Sequence, residues 1–175
     1  MTTLKQLGLP PIAQLGHVVR DLEASMALYE PLYGPFTTMD GSVQGATYRG
    51  RIADVRLAIA FGRSGHLEIE LIQWQGGESP HREFIERGRE GIHHVQFRVE
   101  DCDGWIARTV PLGFEVVWYR RYSADTTFAC LERPGDRADH QVDVGVGQDG
   151  LDDLRAPLVG RRRAAVVDRV RHPQV

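Results

Sequence analysis

A strand-to-helix phrase occurs twice in this chain and limits how it can fold. Gly91-Ile92-His93-His94-Val95-Gln96-Phe97-Arg98-Val99-Glu100-Asp101 alternates with the period of a β-strand. That period puts His93, Val95, Phe97 and Val99 on one face and His94, Gln96 and Arg98 on the other. The first face is apolar, so His93 reads as a structural histidine turned toward a packed helical layer. The second is polar, and there the imidazole of His94 can serve as a ligand or a proton carrier. Earlier, Leu15-Gly16-His17-Val18-Val19-Arg20-Asp21 begins in the same way and also ends on an acidic residue. Each copy leads into a helical pattern that stops at glycine, with Leu22, Met26 and Tyr29 in the first and Trp105, Ile106 and Val110 in the second. Asp21 and Asp101 are the expected N-caps. Two such units indicate an internal duplication.

In order, residues 1–12 form an extended lead-in ending in Leu9-Pro10-Pro11, and the fold is expected to span 13–147. Module one covers 13–75, with strands at 46–52, 55–61 and 66–74 after its helix, and turns at Asp40-Gly41-Ser42 and Gly62-Arg63-Ser64-Gly65. A linker helix lies within 76–90, capped by Ser79 with Pro80 at its first position. Module two covers 91–147, with further strands at 114–121, 126–131 and 141–146. Both modules thus read strand, helix, strand, strand, strand.

The chain has 175 residues, 42% hydrophobic and 26% charged, with a formal net charge of −3. That composition suits a soluble globular protein and favours neither nucleic acid nor an anionic membrane as partner. No run of about 18 apolar residues and no signal peptide is evident, so a cytoplasmic location is expected. Cys102 and Cys130 have no metal spacing and are expected as free thiols. The tail, 148–175, carries Arg161-Arg162-Arg163 around an apolar series and reads as an amphipathic helix with a solvated basic face. It would pack on its own or a neighbouring subunit, and a homodimer is expected.

The strand at 66–74 sets Leu67, Ile69 and Leu71 on one face and His66, Glu68 and Glu70 on the other. Taken alone, such alternation is the usual mark of a sheet with one wet face. Position gives it further meaning. From His17 to Glu70 is 53 positions, and from His94 to Asp143, in the last strand, is 49. The near match leads us to expect His17, Glu70, His94 and Asp143 around one divalent ion of the Zn, Co, Ni, Mn or Fe type. Such an ion would leave room for a substrate with adjacent oxygens and would stabilise an enolate as a carbon acid loses its proton. Glu70 or Asp143 would carry that proton, with Glu68 beside them as a pocket residue.

On Leu15-Gly16-His17-Val18-Val19-Arg20-Asp21-Leu22-Glu23, Leu67-Glu68-Ile69-Glu70-Leu71-Ile72 and Gly91-Ile92-His93-His94-Val95-Gln96-Phe97, the chain resembles the vicinal oxygen chelate superfamily. Its members include glyoxalase I, methylmalonyl-CoA epimerase, bleomycin-resistance proteins and extradiol dioxygenases. The resemblance implies an α+β fold in which two tandem βαβββ modules form a curled eight-stranded mixed sheet around a metal site. It also implies His17, Glu70, His94 and Asp143 as ligands, Asp143 standing where the family usually has glutamate. Gly-Ile-His-His and the preceding Ser-Pro helix look most like the methylmalonyl-CoA epimerase branch. Unlike those epimerases, this chain has only Asp54 as an acidic residue in the segment from Tyr48 to Asp54. The implied function is a divalent-metal-dependent isomerase, epimerase or lyase acting on a small carbonyl substrate. The alternatives are an extradiol-type Fe(II) dioxygenase and a metal-free ligand-binding or resistance protein.

Overall fold

The structure, a computed structural model, describes residues 8–123, 126–135 and 141–147, the last of these through its strand pairing. The elements are β1 (Ile12–Val19), α1 (Leu22–Tyr33), β2 (Thr37–Asp40), β3 (Val43–Tyr48), β4 (Arg51–Ser64), β5 (Leu67–Gly77), α2 (Pro80–Glu86), β6 (Gly91–Arg98), α3 (Cys102–Thr109), β7 (Glu115–Arg121), β8 (Thr126–Glu132) and β9 (Gln141–Gly147). The expected caps form. The carboxylate of Asp21 accepts the Ala24 N–H at 3.0 Å, and that of Asp101 accepts the Gly104 N–H at 2.9 Å. Ser79 Oγ accepts the Arg82 N–H at 3.3 Å, which starts α2. The proposed tail helix and the turn residues Ala124, Asp125, Asp136 and Arg137 lie outside the described residues.

Pairing runs β2-β4-β3-β7-β8-β9-β6-β1-β5, and β4 also pairs with β5. β2 and β3 lie end to end along one edge of β4, in a single register from Thr37↔Phe61 to Val43↔Val55. Nine segments therefore make a curled, mixed sheet of eight strands. Within each module the first and last strands are parallel, β1 with β5 and β6 with β9. The modules meet along antiparallel β1–β6, and again where Thr47 and Tyr48 pair with Tyr119 and Trp118.

Two turns fall elsewhere than expected. The β3–β4 reversal sits at Arg49-Gly50, whose φ angles are 45° and 78°, the left-handed backbone that a two-residue hairpin needs. Asp40-Gly41-Ser42 does not reverse the chain. There the Asp40 carboxylate accepts the Ser42 N–H at 2.9 Å and Ser42 Oγ accepts the Leu57 N–H at 3.3 Å, so the strand is interrupted and then resumes along β4.

Three apolar clusters fix which side is which. α1 covers Val19, Leu22, Ala60, Ile69 and Leu71, and α3 covers Val99, Phe114 and Leu131 through Trp105. The third cluster joins Val18, Tyr48, Leu57, Ile72 and Trp118 with Phe84 of α2. Strands of both modules can share a cluster only inside the curl, so α2 packs on the inner face and α1 and α3 on the outer. Cys102 and Cys130 are both buried and neither is in a disulfide. No helix among the described residues is long and apolar enough to cross a membrane.

Candidate functional site

Two rows of polar residues cross the inner face at the seam between modules. In the first, Glu70 of β5, Gly16 of β1 and His94 of β6 are successive pairing partners. Glu70 Oε2 lies 3.5 Å from His94 Nε2, with the glycine between their strands. A Cβ on Gly16 would stand 2.1 Å from His94 Cε1. The missing side chain is what lets the imidazole lie across β1 and reach the carboxylate.

In the second row, Glu68, Gln14, Gln96 and Asp143 pair in turn across β5, β1, β6 and β9. Gln14 Nε2 donates to Glu68 Oε1 at 2.7 Å, while Arg63 and Arg98 each stand 3.9 Å from Glu68 Oε2. Glu68 is 2% exposed, and these partners offset the cost of taking its charge out of water. Gln96 Oε1 is buried with no hydrogen-bond partner among the described residues. Asp143 holds its register position beside Gln96 and Cys130; its side chain lies outside the described residues.

A bulge changes the face of His93. Gly16 pairs with His94 but His17 pairs with Ile92, so His93 is an extra residue in β6. An inserted residue breaks the period-two alternation and re-aims a side chain. His93 is consequently not turned toward the α3 layer, as alternation led us to expect. It packs on the inner side against α2, its ring centroid 5.0 Å from those of His81 and Phe84. Its Nδ1 lies 3.1 Å from His94 Nδ1.

His81, His93 and His94 are all buried, and one ligating atom from each lies within 4.8 Å of the others. Burial drives the proton off His81, whose pKa falls to about 3 with a smaller push from His94. It also lowers His93 well below the ordinary imidazole value, with His81 and His94 adding to the effect. Both rings are neutral at pH 7 and present lone pairs. His81 Nδ1 is buried with no hydrogen-bond partner among the described residues.

The structure brings Glu70 and His94 together but not His17. The His17 side chain shares its face with Leu71, its partner on β5, and its ring lies 6.0 Å from Tyr29 of α1, on the outer side. Burial lowers its pKa, a backbone hydrogen bond at Leu15 opposes that, and His94 adds a smaller lowering. The physical reason for the mismatch is that the repeat registers on the helix caps rather than on the first histidine. Gln14 precedes the capping Asp21 by as many positions as His94 precedes Asp101, and it is Gln14 that faces inward. The expected set of two histidines and two carboxylates therefore does not fit this face. His94 is its one described imidazole on the strand rows, and the matching position on β1 holds an amide already committed to Glu68. Gln14, Gln96 and His81 were not among the expected site residues; counting back from the caps would have found Gln14.

Residues 13–130 match the family model described as Glyoxalase/Bleomycin resistance protein/Dioxygenase superfamily. Among solved structures, methylmalonyl-CoA epimerase from Mycobacterium tuberculosis is similar at 20% identity and TM-score 0.57, over 83% of this chain and 93% of that one. A Streptomyces coelicolor methylmalonyl-CoA epimerase variant in complex with 2-nitronate-propionyl-CoA is similar at 24% identity and TM-score 0.56, over 78% and 94%. A hypothetical protein from Bacillus halodurans C-125 is similar at 20% identity and TM-score 0.57, over the same shares. No curated protein matches the chain closely enough to count as a relative.

Proposed function

The chain belongs to the glyoxalase/bleomycin resistance protein/dioxygenase superfamily, and from that premise we propose that it is an isomerase or epimerase that moves a proton at a carbon next to a carbonyl. The observation that carries this reading is the pair of proton carriers at the module seam, Glu70 Oε2 and His94 Nε2, 3.5 Å apart on the inner face. Glu70 takes the proton from the substrate carbon, leaving an enolate. His94 gives a proton to the opposite face of that carbon, with Glu70 passing its own proton on to the imidazole, and the configuration is inverted. Protonated Glu70 giving its proton to the neighbouring carbon instead changes the position. Arg63 and Arg98 stand beside Glu68 on the same face, where their charge favours a substrate that gains negative charge as it reacts. Positioned acid–base groups of this kind contribute about 10²- to 10⁴-fold in rate.

The resemblance in fold to methylmalonyl-CoA epimerases makes 2-substituted acyl thioesters the first substrates to try. The protein is incubated in D₂O with acyl thioesters, 2-hydroxy ketones and hemithioacetals, and deuterium incorporation is read by mass. Wild-type protein is expected to label at least one class, and Glu70→Gln to suppress labelling by 10²-fold or more, because an amide cannot accept the proton. Consumption of O₂ with catechols in place of labelling would point to the dioxygenase. Ligand binding with neither reaction would point to a resistance-type binder.

A further inference from the structure

We propose that His81, His93 and His94 form a nitrogen-donor site for a late first-row divalent metal, at the junction of α2 with β6 rather than across the strands. One ligating atom of each residue lies within 4.8 Å of the others. A tetrahedral ion with metal–nitrogen bonds of about 2.0–2.1 Å sets its ligand atoms roughly 3.3 Å apart. The 3.1 Å between His93 Nδ1 and His94 Nδ1 is already near that spacing. His81 needs only a small rotation or shift to complete the set.

A second, independent observation is the state of His81. Its Nδ1 is fully enclosed and has no hydrogen-bond partner among the described residues. A buried polar atom left in that condition costs about 1–3 kcal/mol, and a metal would satisfy it. The surroundings suit an ion that prefers imidazole over carboxylate. Trp118 packs edge-on against His81 at 5.3 Å between ring centroids, and Phe84 packs edge-on against His93 at 5.0 Å. Three imidazole donors in an apolar shell select Zn²⁺, Co²⁺ or Ni²⁺ over Ca²⁺ or Mg²⁺.

The far side of His94 completes the pattern. Metal on Nδ1 fixes the proton on Nε2, the atom that faces Glu70 at 3.5 Å. A carboxylate behind a metal-bound imidazole orients the ring and raises its basicity. The ligand missing from β1 is thus supplied by α2, and the ion sits behind the pair that moves the proton. The site stands on the geometry of three rings, independently of the reaction proposed above.

The test strips the full chain with chelator, reloads it with Co²⁺ and reads stoichiometry, visible ligand-field bands and thermal midpoint. One equivalent is expected, with the intense bands of a tetrahedral site and a metal-dependent rise in midpoint. His81→Leu should fold, lose stoichiometric binding and lose that rise, whereas Glu70→Gln should keep one equivalent with affinity weaker by about 10- to 100-fold. Because His81→Leu could fail to fold, the wild-type Co²⁺ protein is also read by paramagnetic proton NMR, where three ligating imidazoles give three hyperfine-shifted, exchangeable N–H signals. Failure of the wild type to bind Co²⁺ or Zn²⁺ stoichiometrically would overturn the site. So would a single imidazole signal, or a folded His81→Leu variant that binds as tightly as wild type. Metal binding without deuterium exchange would sink the proposed reaction and leave the site standing.

Discussion

Gly16 and His17 stand side by side on β1 and act on opposite faces, so exchanging their expected roles yields two opposite outcomes. Gly16→Ala drives a methyl group to within 2.1 Å of the His94 ring, and the imidazole must leave Glu70 to make room. Deuterium exchange should fall by at least tenfold and stability by about 1–3 kcal/mol, the usual penalty of overpacking, read by exchange assay and urea unfolding. His17→Leu should leave exchange and metal content within twofold of wild type, because the side chain packs on Tyr29 outside the curl. Loss of metal from that variant would restore His17 to the site. Residue by residue, Glu70 was legible in the sequence because alternation on β5 is strict where it stands, and His94 because it lies past the bulge and keeps the face of Gln96. His17 was misplaced because a short phrase was matched on its histidine and not on its cap. His93 was misplaced because a bulge has no sequence signature in a run of alternating residues.

Among elements, α2 is held by one arginine that ties its own turn to two other parts of the chain. Arg49, in the β3–β4 turn, donates to the Glu83 carboxylate of α2 at 2.7 and 2.9 Å and to Glu132 at the end of β8 at 2.8 Å. The Tyr48 hydroxyl donates to Glu83 as well. Arg49 holds the Glu83 carboxyl below its usual range, and burial, aided by Glu83, pushes the Tyr48 phenol up to about 12. Arg49→Met should cost about 1 kcal/mol, discounted from a buried pair because Arg49 is 37% exposed. It should also speed hydrogen exchange in α2 while exchange in β1 and β6 stays unchanged; equal acceleration everywhere would deny Arg49 this local role. Asp101→Ala should cost about 1 kcal/mol by uncapping α3. The helices and their caps were readable locally. The Arg49-Gly50 turn was not, since the strand expected at 46–52 ran straight across it.

For the molecule as a whole, buried histidines set the response to acid. The folded-state pKa of His81 is about 3, against 6.5 when exposed, and His17 and His93 shift in the same direction. A lowered value means that the unfolded chain binds more protons below pH 6.5, so the stability these rings contribute is present above that pH and lost as pH falls. For His81 the loss is about 1.4 kcal/mol per pH unit between 6.5 and about 3. Glu83 adds to it below its ordinary carboxylate value. In chelator-treated protein the urea midpoint should fall steadily from pH 7 to pH 5, and a flat profile would show that the rings are solvated. The duplication and its eight strands could be read from the chain because both follow from local period and repeat, while their closure into one curled sheet was implied by the family resemblance. The meeting of His81 with His93 could not, since it depends on how a linker helix seats inside a curl that two distant modules close.

That closure also governs how copies of the chain can meet. Every described strand except the four-residue β2 has a pairing partner on each side. β3 and β7 pair only at Thr47 with Tyr119 and Tyr48 with Trp118, so the open backbone among the described strands is confined to β2 and the rest of that seam, and short edges are poor templates for aggregation. Away from those edges, association between copies has to be made by side chains against side chains, and its strength and selectivity can change by surface substitution without disturbing the hydrogen-bond ladder beneath.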